Sequence, residues 1–483
     1  MSSSPPTLRP SNFRYVVLGL LCLLAMITYM DRAANGSAKA AIMAELNADL
    51  PEGAEKYRTE DFFIVLMAFQ LAYALFEVPS GWLGDTQGPR KVLLRVVLWW
   101  TLFVFLTGFV GMSLLPDGIL GGLYIGFLGL IVIQFLFGVG EAGAFPNISK
   151  ALYNWFPANA RGFAKSAIWM CARLMGGLTP FLWVVLTEWN VGGMHREGGM
   201  TWRWAMWVFA AAAAVWCVIF YFVFRNKPAA GQVNAGELAL INAGRTETTG
   251  PVRVPWGKLL RSKNLWAVCG MYVVTNFCWY FLMYNHPGAM KKTFPEWNNT
   301  PEGRIGLALL SGAPLLIGML GCYLGGMVSD RIIRRRGDRK WGRRLPGMLG
   351  YGLAGVCYLG AIAAKLVAPD NVWALAVPLM LMGFFNDLIM APAWAVCQDI
   401  GREYAATVSG AMNMVGNLVG AVSGIFVTGM ILSAWTENVG TKEEFVRPEG
   451  YAVCFALYAA VYFAGVGLWL LIDANKPVVE EKA

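Results

Sequence analysis

Residues 81–91 read Gly-Trp-Leu-Gly-Asp-Thr-Gln-Gly-Pro-Arg-Lys, and residues 326–331 repeat the start of this pattern as Gly-Met-Val-Ser-Asp-Arg. In both places a glycine lies four positions before an aspartate, basic residues follow, and a long apolar segment ends. Asp85 and Asp330 are 245 positions apart in a chain of 483 residues, which indicates two similar halves. Duplicated membrane units with matching features are typical of carriers that rock about a central site. The repeat therefore favours transport over catalysis.

The composition is that of a membrane protein. Hydrophobic residues make up 57% of the chain, charged residues 14%, and the mean hydropathy is +0.50. Because soluble domains carry about 25% charged residues, we expect the lipid bilayer as the surrounding partner. The net charge of +9 comes from short basic runs between apolar segments. Runs placed in that way set membrane topology, so no nucleic-acid partner is predicted.

Motifs for enzymes, metals and cofactors are missing from the sequence. The nine cysteines are scattered through apolar segments without a C-x-x-C pair, and there are only two histidines. These counts favour neither a disulfide framework nor a metal centre. The sequence also contains no H-E-x-x-H, no G-x-S-x-G and no P-loop. We therefore predict a protein that is not an enzyme, has no cofactor, and draws its work from an ion gradient.

Apolar segments long enough to span a bilayer recur twelve times along the chain. A spanning helix needs about 20 apolar residues, and the polar stretch 226–263 divides the twelve into six and six. This predicts an all-α membrane protein of twelve transmembrane helices in two pseudo-symmetric six-helix bundles, residues 1–225 and 264–483, with a central loop that holds at most a short surface helix. The segments are 14–42, 59–83, 91–114, 119–147, 160–187, 201–225, 264–288, 304–329, 346–367, 372–399, 404–432 and 450–473.

The orientation follows from the distribution of basic residues. Loops on the opposite side, such as 45–61 and 437–449, are rich in acids. The positive-inside rule then puts both termini and the central loop in the cytoplasm, and we expect a multi-pass protein of the plasma (inner) membrane. The basic side contains Arg9, Arg14, Arg90, Lys91, Arg95, Lys150, Arg161, Lys165, the runs 253–263 and 331–344, and Arg402.

Five sequence fragments together point to a known family. Besides residues 81–91, they are Tyr-Met-Asp-Arg at 29–32, Gly-Val-Gly-Glu-Ala-Gly-Ala-Phe-Pro at 138–146, Trp-Phe-Pro-x-x-x-Arg-Gly at 155–162, and Ser-Gly-x-x-Asn-x-x-Gly-Asn at 409–417. The set resembles the major facilitator superfamily, and within it the anion:cation symporter family of hexuronate, galactonate, glucarate, phthalate, tartrate and lysosomal sialic-acid carriers. The resemblance covers almost the whole chain. It implies a proton-coupled carrier of organic anions.

Two carboxylates within apolar segments are candidates for proton coupling. Asp31 and Arg32 come about 17 residues into the first segment, roughly 26 Å along a helix, and Glu141 lies in the fourth. Ionisable groups at that depth are costly and are usually functional. The resemblance implies that Asp31 and Glu141 couple protons and that Arg32 binds the substrate carboxylate. The alternatives are a structural ion pair that ties the first helix to a neighbouring helix, and a protonated Glu141 that is hydrogen-bonded for packing.

The chain departs from the family pattern at one position of the candidate substrate site. Many family members carry an arginine seven residues before the glutamate, where this chain has Gln134. Arg173 lies in the middle of the fifth segment, and we hypothesise that it supplies the missing charge because a guanidinium binds carboxylates through paired hydrogen bonds. The alternative is a gate in which Arg173 pairs with Glu141 or with backbone carbonyls.

The second half offers mainly uncharged polar candidates. Asn386 and Asp387 on the tenth segment and Asn413 and Asn417 on the eleventh are predicted to bind substrate hydroxyls, although asparagines in membranes also join helices to one another. Further predicted cavity walls are Tyr73 and either Tyr280 or Tyr284. His286 is interpreted as an interfacial polar residue, with a role in pH response as the alternative.

The repeated aspartates are better explained as conformational latches than as binding residues. At the predicted cytoplasmic surface, an aspartate can accept hydrogen bonds from helix-end amides or from an arginine in one state and lose them in another. Thr86 replaces a basic residue that is common at this place in the family. The predicted latch residues are Asp85, Arg90 and Lys91 in the first half and Asp330 and Arg331 in the second.

These features together predict a secondary active transporter. The expected partners are a small organic anion, such as a sugar acid or another carboxylate, and a proton, with sodium left open. A uniporter or exchanger of the same fold and a non-transporting solute receptor are the alternatives. A monomer is expected, while the identity of the anion and the direction of transport stay open.

Overall fold

The computed structural model describes residues 9–48, 50–51, 57, 62–112, 125–187, 200–228, 231–242, 253–437 and 445–479. Within these residues the regular elements are helices, apart from one pair of two-residue strands. Eight helical stretches there are long and apolar enough to cross a membrane. The prediction of an all-α membrane protein is confirmed. Short helices also lie outside the twelve predicted segments, in the central loop and between the seventh and eighth segments.

Packing divides the chain into two compact units. The first consists of Met1–Trp155 and Cys171–Gly250. Within it, α1 packs on α7 and α5, and α2 packs on α4. The first ten residues of α6 group with the second unit. The predicted boundary of the first bundle at residue 225 stays a prediction. The helices are α1 Phe13–Ala48, α2 Phe62–Gln87, α3 Pro89–Thr107, α4 Phe127–Glu141, α5 Ala144–Trp155, α6 Arg161–Thr187, α7 Met200–Val223 and α8 Ala235–Asn242.

The second unit consists of Phe156–Met170 and Pro251–Ala483. Short 3₁₀ turns cover Ala158–Ala160 and Arg402–Tyr404, and π turns cover Phe281–Asn285 and Gly416–Ala421. The antiparallel strands are β1 Thr436–Glu437 and β2 Phe445–Val446. The helices are α9 Trp256–Leu260, α10 Lys263–Tyr280, α11 His286–Thr293, α12 Pro295–Asn298, α13 Pro301–Arg336, α14 Arg339–Val367, α15 Val372–Leu388, α16 Met390–Gly401, α17 Ala405–Val415, α18 Val422–Ala434 and α19 Pro448–Leu471.

Two of the predicted segments are interrupted helices. The fourth breaks between α4 and α5, where Pro146 lacks the N–H that would bond the carbonyl of residue 142. The tenth breaks between α15 and α16, and Pro392 lies just beyond that break. Glu141 and Asp387 each lie five residues before the respective proline. The duplication therefore extends to the place where a buried acid meets a helix break.

Close approach of α4 to α2 depends on a glycine. A Cβ atom at Gly138 would lie 2.4 Å from the carbonyl oxygen of Phe69, too close for any other residue without a backbone shift. One turn later along α4 comes Glu141, and one turn after Phe69 along α2 comes Tyr73. The contact therefore brings the acid of α4 close to the aromatic side chains of α2.

The start of α1 is held by a residue of the central loop. Glu237 in α8 is fully buried, and its carboxylate accepts hydrogen bonds from the Ser11 hydroxyl at 2.5 Å, the amides of Phe13 and Arg14 at 3.2 and 3.1 Å, and the Arg14 guanidinium at 2.9 Å. The first amides of a helix have no partner within the helix. The carboxylate of Glu237 supplies one.

Candidate functional site

Arg32 and Glu141 form an ion pair in the interior of the first unit. The Arg32 Nε donates to Glu141 Oε1 at 2.8 Å, and Glu141 is fully buried. The guanidinium lies 4.3 Å from the ring centroid of Tyr73, 5.5 Å from Phe69 and 5.6 Å from Tyr29. Arginine is attracted to aromatic faces. The cation is thus held by one carboxylate and surrounded by three rings.

The ion pair leaves hydrogen-bonding capacity unused. Within the described residues, the second oxygen of Glu141 and the Nη2 of Arg32 have no hydrogen-bond partner. An arginine fork can bind a carboxylate through two parallel hydrogen bonds, and here only one is made. A second acid group is therefore able to compete for Arg32.

The carboxylate of Asp31 is buried in α1. Its residue is 1% exposed, and neither carboxylate oxygen finds a partner among the described residues. Holding such a group as an anion is costly, which is a useful property in a residue that takes up and releases a proton. Asp31 and Arg32 are neighbours in sequence, but the partner of Arg32 is Glu141 rather than Asp31.

Arg173 joins the same cluster through Tyr29. Its Nη1 donates to the Tyr29 hydroxyl at 3.3 Å, and its guanidinium lies 5.8 Å from the Tyr29 ring. Arg32 and Arg173 therefore both contact one tyrosine of α1. Gln134 does not join this cluster through its amide nitrogen, which donates to the Asn35 side chain at 2.8 Å and ties α4 to α1.

The predicted polar residues of the second unit connect helices. The Asn417 carbonyl oxygen accepts from Asn276 at 3.3 Å and from Tyr280 at 3.1 Å, and its amide donates to the backbone of Asn413 at 2.9 Å. Asn386 accepts from the Tyr462 hydroxyl at 2.8 Å and donates to Asp387 at 3.2 Å. All four predicted residues are buried. Their substrate contacts stay a prediction.

His286 and Tyr284 lie near the end of the seventh segment. His286 was interpreted as an interfacial residue, but it is 1% exposed, and neither ring nitrogen has a hydrogen-bond partner within the described residues. The π turn at Phe281–Asn285 directly precedes it. Burial within the protein does not test the depth of His286 in the membrane, so its interfacial position and a role in pH response both stay predictions. The side chain of Tyr284 lies outside the described part of the chain.

The predicted latch residues of the first unit contact neighbouring helices. Asp85, at the end of α2, pairs with the Lys150 ammonium of α5 at 3.1 Å, and both are buried. Arg90 donates to the Tyr221 carbonyl at 2.5 Å, and its amide donates to Asn226 at 2.8 Å. Lys91 is exposed.

The second unit contains the corresponding aspartate in a larger charged cluster. Asp330 accepts from the backbone amides of Gly162 and Phe163 at 3.2 and 2.7 Å and pairs with Arg343 at 2.9 Å. Arg343 also pairs with Asp399 at 3.0 Å, and Arg161 pairs with the same Asp399 at 3.0 Å. Arg331 is exposed. Asp330 thus accepts from helix-start amides and from an arginine, which are the two kinds of donor predicted for a latch aspartate.

Sequence reasoning missed several residues of these clusters. Glu77 is fully buried in α2, one turn after Tyr73. It is an acid within the apolar run 74–78, so the rule that marked Glu141, an ionisable group inside an apolar segment, also applies to Glu77. Tyr29 was quoted only as part of a motif. Lys165 and Trp394 are fully buried in the second unit, and no local pattern marked them, because their contacts join helices far apart in sequence.

Two apolar helical units with ionisable residues buried inside them define a polytopic membrane transporter. The Major Facilitator Superfamily model matches residues 21–424, and the chain belongs to this family. The probable sulfoacetate transporter SauU of Cupriavidus necator is 31% identical over 85% of this chain and 85% of its own length. The D-galactonate transporter of Escherichia coli O6:H1 is 23% identical over 93% and 95%. The predictions of a transporter rather than an enzyme, and of kinship with anion:cation symporters, are confirmed.

Solved structures support the fold alone. The proton:xylose symporter XylE superposes with a TM-score of 0.70 at 13% identity, over 96% of this chain and 98% of XylE. The human organic anion transporter MFSD10 superposes with a TM-score of 0.62 at 13% identity, over 96% and 100%. These superpositions support the fold of the family.

Proposed function

We propose that this protein is a secondary active transporter that moves an organic anion across the membrane together with protons, by alternating access. The anion is a sugar acid or another small carboxylate. Relatives named for sulfoacetate, galactarate and D-glucarate, and galactonate support this class of substrate. The distribution of Lys and Arg supports a plasma (inner) membrane protein with both termini in the cytoplasm.

The single observation that carries the proposal is the buried Arg32–Glu141 pair. While Glu141 is ionised, it occupies the guanidinium of Arg32. Protonation of Glu141 removes the charge that holds this pair together, so the guanidinium becomes available to a substrate carboxylate. Binding of the anion and uptake of a proton are then favourable together and unfavourable separately, which is the requirement for symport.

The surroundings of the pair fit this role. The rings of Tyr29, Phe69 and Tyr73 keep the guanidinium in place whether or not the acid is charged. Arg173, which donates to the Tyr29 hydroxyl, offers a second cation for the same acid group or for a second one. Asp31 supplies a further buried carboxylate next to Arg32 in the sequence. In the proposed cycle the contacts of Asp85 and Asp330 break and re-form as access alternates.

Transport in proteoliposomes tests the proposal. Purified protein is reconstituted and supplied with radiolabelled sulfoacetate, D-glucarate, D-galactonate or D-glucuronate, with and without an inwardly directed pH gradient. We expect at least one acid to accumulate above its external concentration only when the gradient is present. Glu141→Gln should exchange that acid across the membrane but fail to accumulate it, because its neutral side chain cannot release a proton.

Controls separate the parts of the proposal. Glu449→Gln removes an exposed acid from the first turn of α19 and should transport like the wild type. Accumulation by Glu141→Gln and by Asp31→Asn at the wild-type level would refute the assigned proton coupling. Downhill flux without any effect of the gradient would instead show a uniporter or exchanger. Binding of neutral sugars but of none of the acids would refute the anion assignment.

A further inference from the structure

Lys165 is a buried cation of the second unit, and it has no role in the proposed coupling of anion and proton. It lies in the first turns of α6 and is fully buried. Its ammonium lies 4.4 Å from the ring centroid of Trp394. Within the described ranges it makes no hydrogen bond and no ion pair. Buried charges in proteins are normally paired or bound to a ligand.

The two buried carboxylates described near this part of α6, Asp399 and Asp330, are already paired with arginines. Asp399 accepts from both Arg161 and Arg343, and Asp330 accepts from Arg343 and from two backbone amides. Two buried acids thus balance two buried arginines. The ammonium of Lys165 adds a positive charge to this group without adding an acid.

The position of Lys165 is fixed by contacts on either side. One turn before it, Arg161 meets Asp399 at 3.0 Å, and one turn after it, the Trp169 ring meets the Trp394 ring at a centroid distance of 5.5 Å. These contacts show that α6 and α16 run antiparallel here, so Lys165 lies beside the part of α16 between Trp394 and Asp399.

Gln398 occupies that part of α16. It lies one turn after Trp394 and next to Asp399, it is fully buried, and neither its amide nitrogen nor its oxygen has a partner in the described chain. A carboxamide without hydrogen bonds is costly to bury. An unpaired ammonium and an unpaired amide therefore lie in the same layer, with the indole ring of Trp394 as one wall.

We propose that Lys165 and Gln398 bind an acid group of the transported anion. A carboxylate or sulfonate accepts a charge-assisted hydrogen bond from the ammonium and a second hydrogen bond from the Gln398 amide, so both buried groups become satisfied. Trp394 is held in place by its indole N–H, which donates to the Tyr272 hydroxyl at 3.2 Å, and it presents a flat face to the ammonium. This inference rests on the proposed function, because it takes the anion to be the transported substrate.

Binding measurements on the full-length protein test the inference. Isothermal titration with sulfoacetate, D-glucarate, D-galactonate and D-glucuronate is compared for wild type, Lys165→Gln, Lys165→Arg and Lys258→Gln. The last variant removes an exposed lysine of α9 and should bind like the wild type. A hydrogen bond to a charged group corresponds to about 10- to 100-fold in affinity, so Lys165→Gln should bind the acid that the wild type prefers more weakly by that factor. Lys165→Arg, which keeps the charge, should retain most of the affinity.

Thermal stability without any acid distinguishes a binding residue from a structural one. Lys165→Met replaces an unpaired buried charge with an apolar side chain of similar length, and such replacements are often neutral or stabilising. We expect the free variant to melt at or above the wild-type temperature and to lose the stabilisation that the preferred acid gives to the wild type. A lysine that serves only structure would give a lower melting temperature.

The outcomes separate this inference from the proposed function. Wild type that binds none of the four acids would refute the proposed function and, with it, this inference. Wild type that binds an acid, together with Lys165→Gln that binds it within twofold, would overturn the inference alone. Destabilisation of both Lys165→Met and Lys165→Gln in the absence of acid would also overturn it, since that result assigns the lysine to structure.

Discussion

Replacing Glu237 with alanine should open the first turn of α1. The carboxylate accepts from the backbone amides of Phe13 and Arg14 at 3.2 and 3.1 Å and is fully buried. A hydrogen bond to a charged group contributes about 1.5–3 kcal/mol, and a helix cap contributes about 1 kcal/mol. Because these contributions overlap, we expect a loss of about 3 kcal/mol in the local free energy of opening, which is about 100-fold in the opening equilibrium.

Hydrogen exchange followed by mass spectrometry measures this opening directly. Protection of the amides of Phe13 and Arg14 should fall about 100-fold in Glu237→Ala, while protection in the middle of α1 should not change. Glu237→Gln keeps one acceptor oxygen and loses the charge, so it should fall between the two. These values follow from the hydrogen bonds of one carboxylate and involve no transport step.

A second acid near a helix start provides the control. Glu449 lies in the first turn of α19 and is exposed. Its expected contribution there is the interaction of an exposed charge with the helix dipole, about 0.3–1 kcal/mol, so Glu449→Ala should change protection of the first turn of α19 less than about fivefold. If amide protection at residues 13 and 14 in Glu237→Ala stays within threefold of the wild-type value, the role assigned to the Glu237 carboxylate is refuted.

Three further perturbations have definite expected outcomes. Arg343→Met leaves two buried aspartates with one arginine and should lower stability by about 3–5 kcal/mol, seen as a lower denaturation midpoint in detergent; an unchanged midpoint would contradict the charge balance. Asn417→Leu removes the hydrogen bond from Asn276 and should cost about 1–2 kcal/mol in the same assay. A pure substrate role would instead leave the midpoint unchanged and weaken acid binding. The Asn475 amide, with the first amides of α14, lowers the pKa of the Asp338 carboxyl below its usual 3.8. This stabilisation is present above pH 3.8 and is lost as pH falls through the lowered pKa, so exchange protection around residue 475 should drop in that acidic range and lose its pH dependence in Asp338→Asn.

The fold was predictable because the features that decide it are local and repeated. Hydropathy marked the twelve segments, and the paired Gly-x-x-x-Asp patterns marked the two halves. Several boundaries were misjudged by a few residues or more. The fourth segment, for example, was predicted to end at 147, but α5 continues to Trp155. The reason is that Lys150 interrupts the apolar run, while in the structure it is buried against Asp85 at 3.1 Å.

The candidate site was only partly predictable. Asp31, Arg32 and Glu141 stood out as charges in apolar segments, but the partner of Arg32 is 109 positions away and nothing local selects it. The positive-inside rule counts basic residues without regard to burial. It therefore grouped Lys165 with Arg161 as a topology signal. Lys165 is a buried cation without an ion pair among the residues that the structure describes, whereas Arg161 forms an ion pair with Asp399. Burial of a cation is decided by carboxylates elsewhere in the chain.

The two π turns bear on how this chain can change in length. A π turn closes its hydrogen bond one residue later than an α-helical turn, so Gly416–Ala421, which packs against α10, contains one residue more than a regular helix needs. Deleting a single residue there converts the turn to α geometry and lets α17 and α18 join as one continuous helix. The same deletion in the middle of α14 rotates every following side chain by about 100° about the helix axis. The described π turns are therefore positions at which the chain can lose one residue while its helices keep the same faces buried.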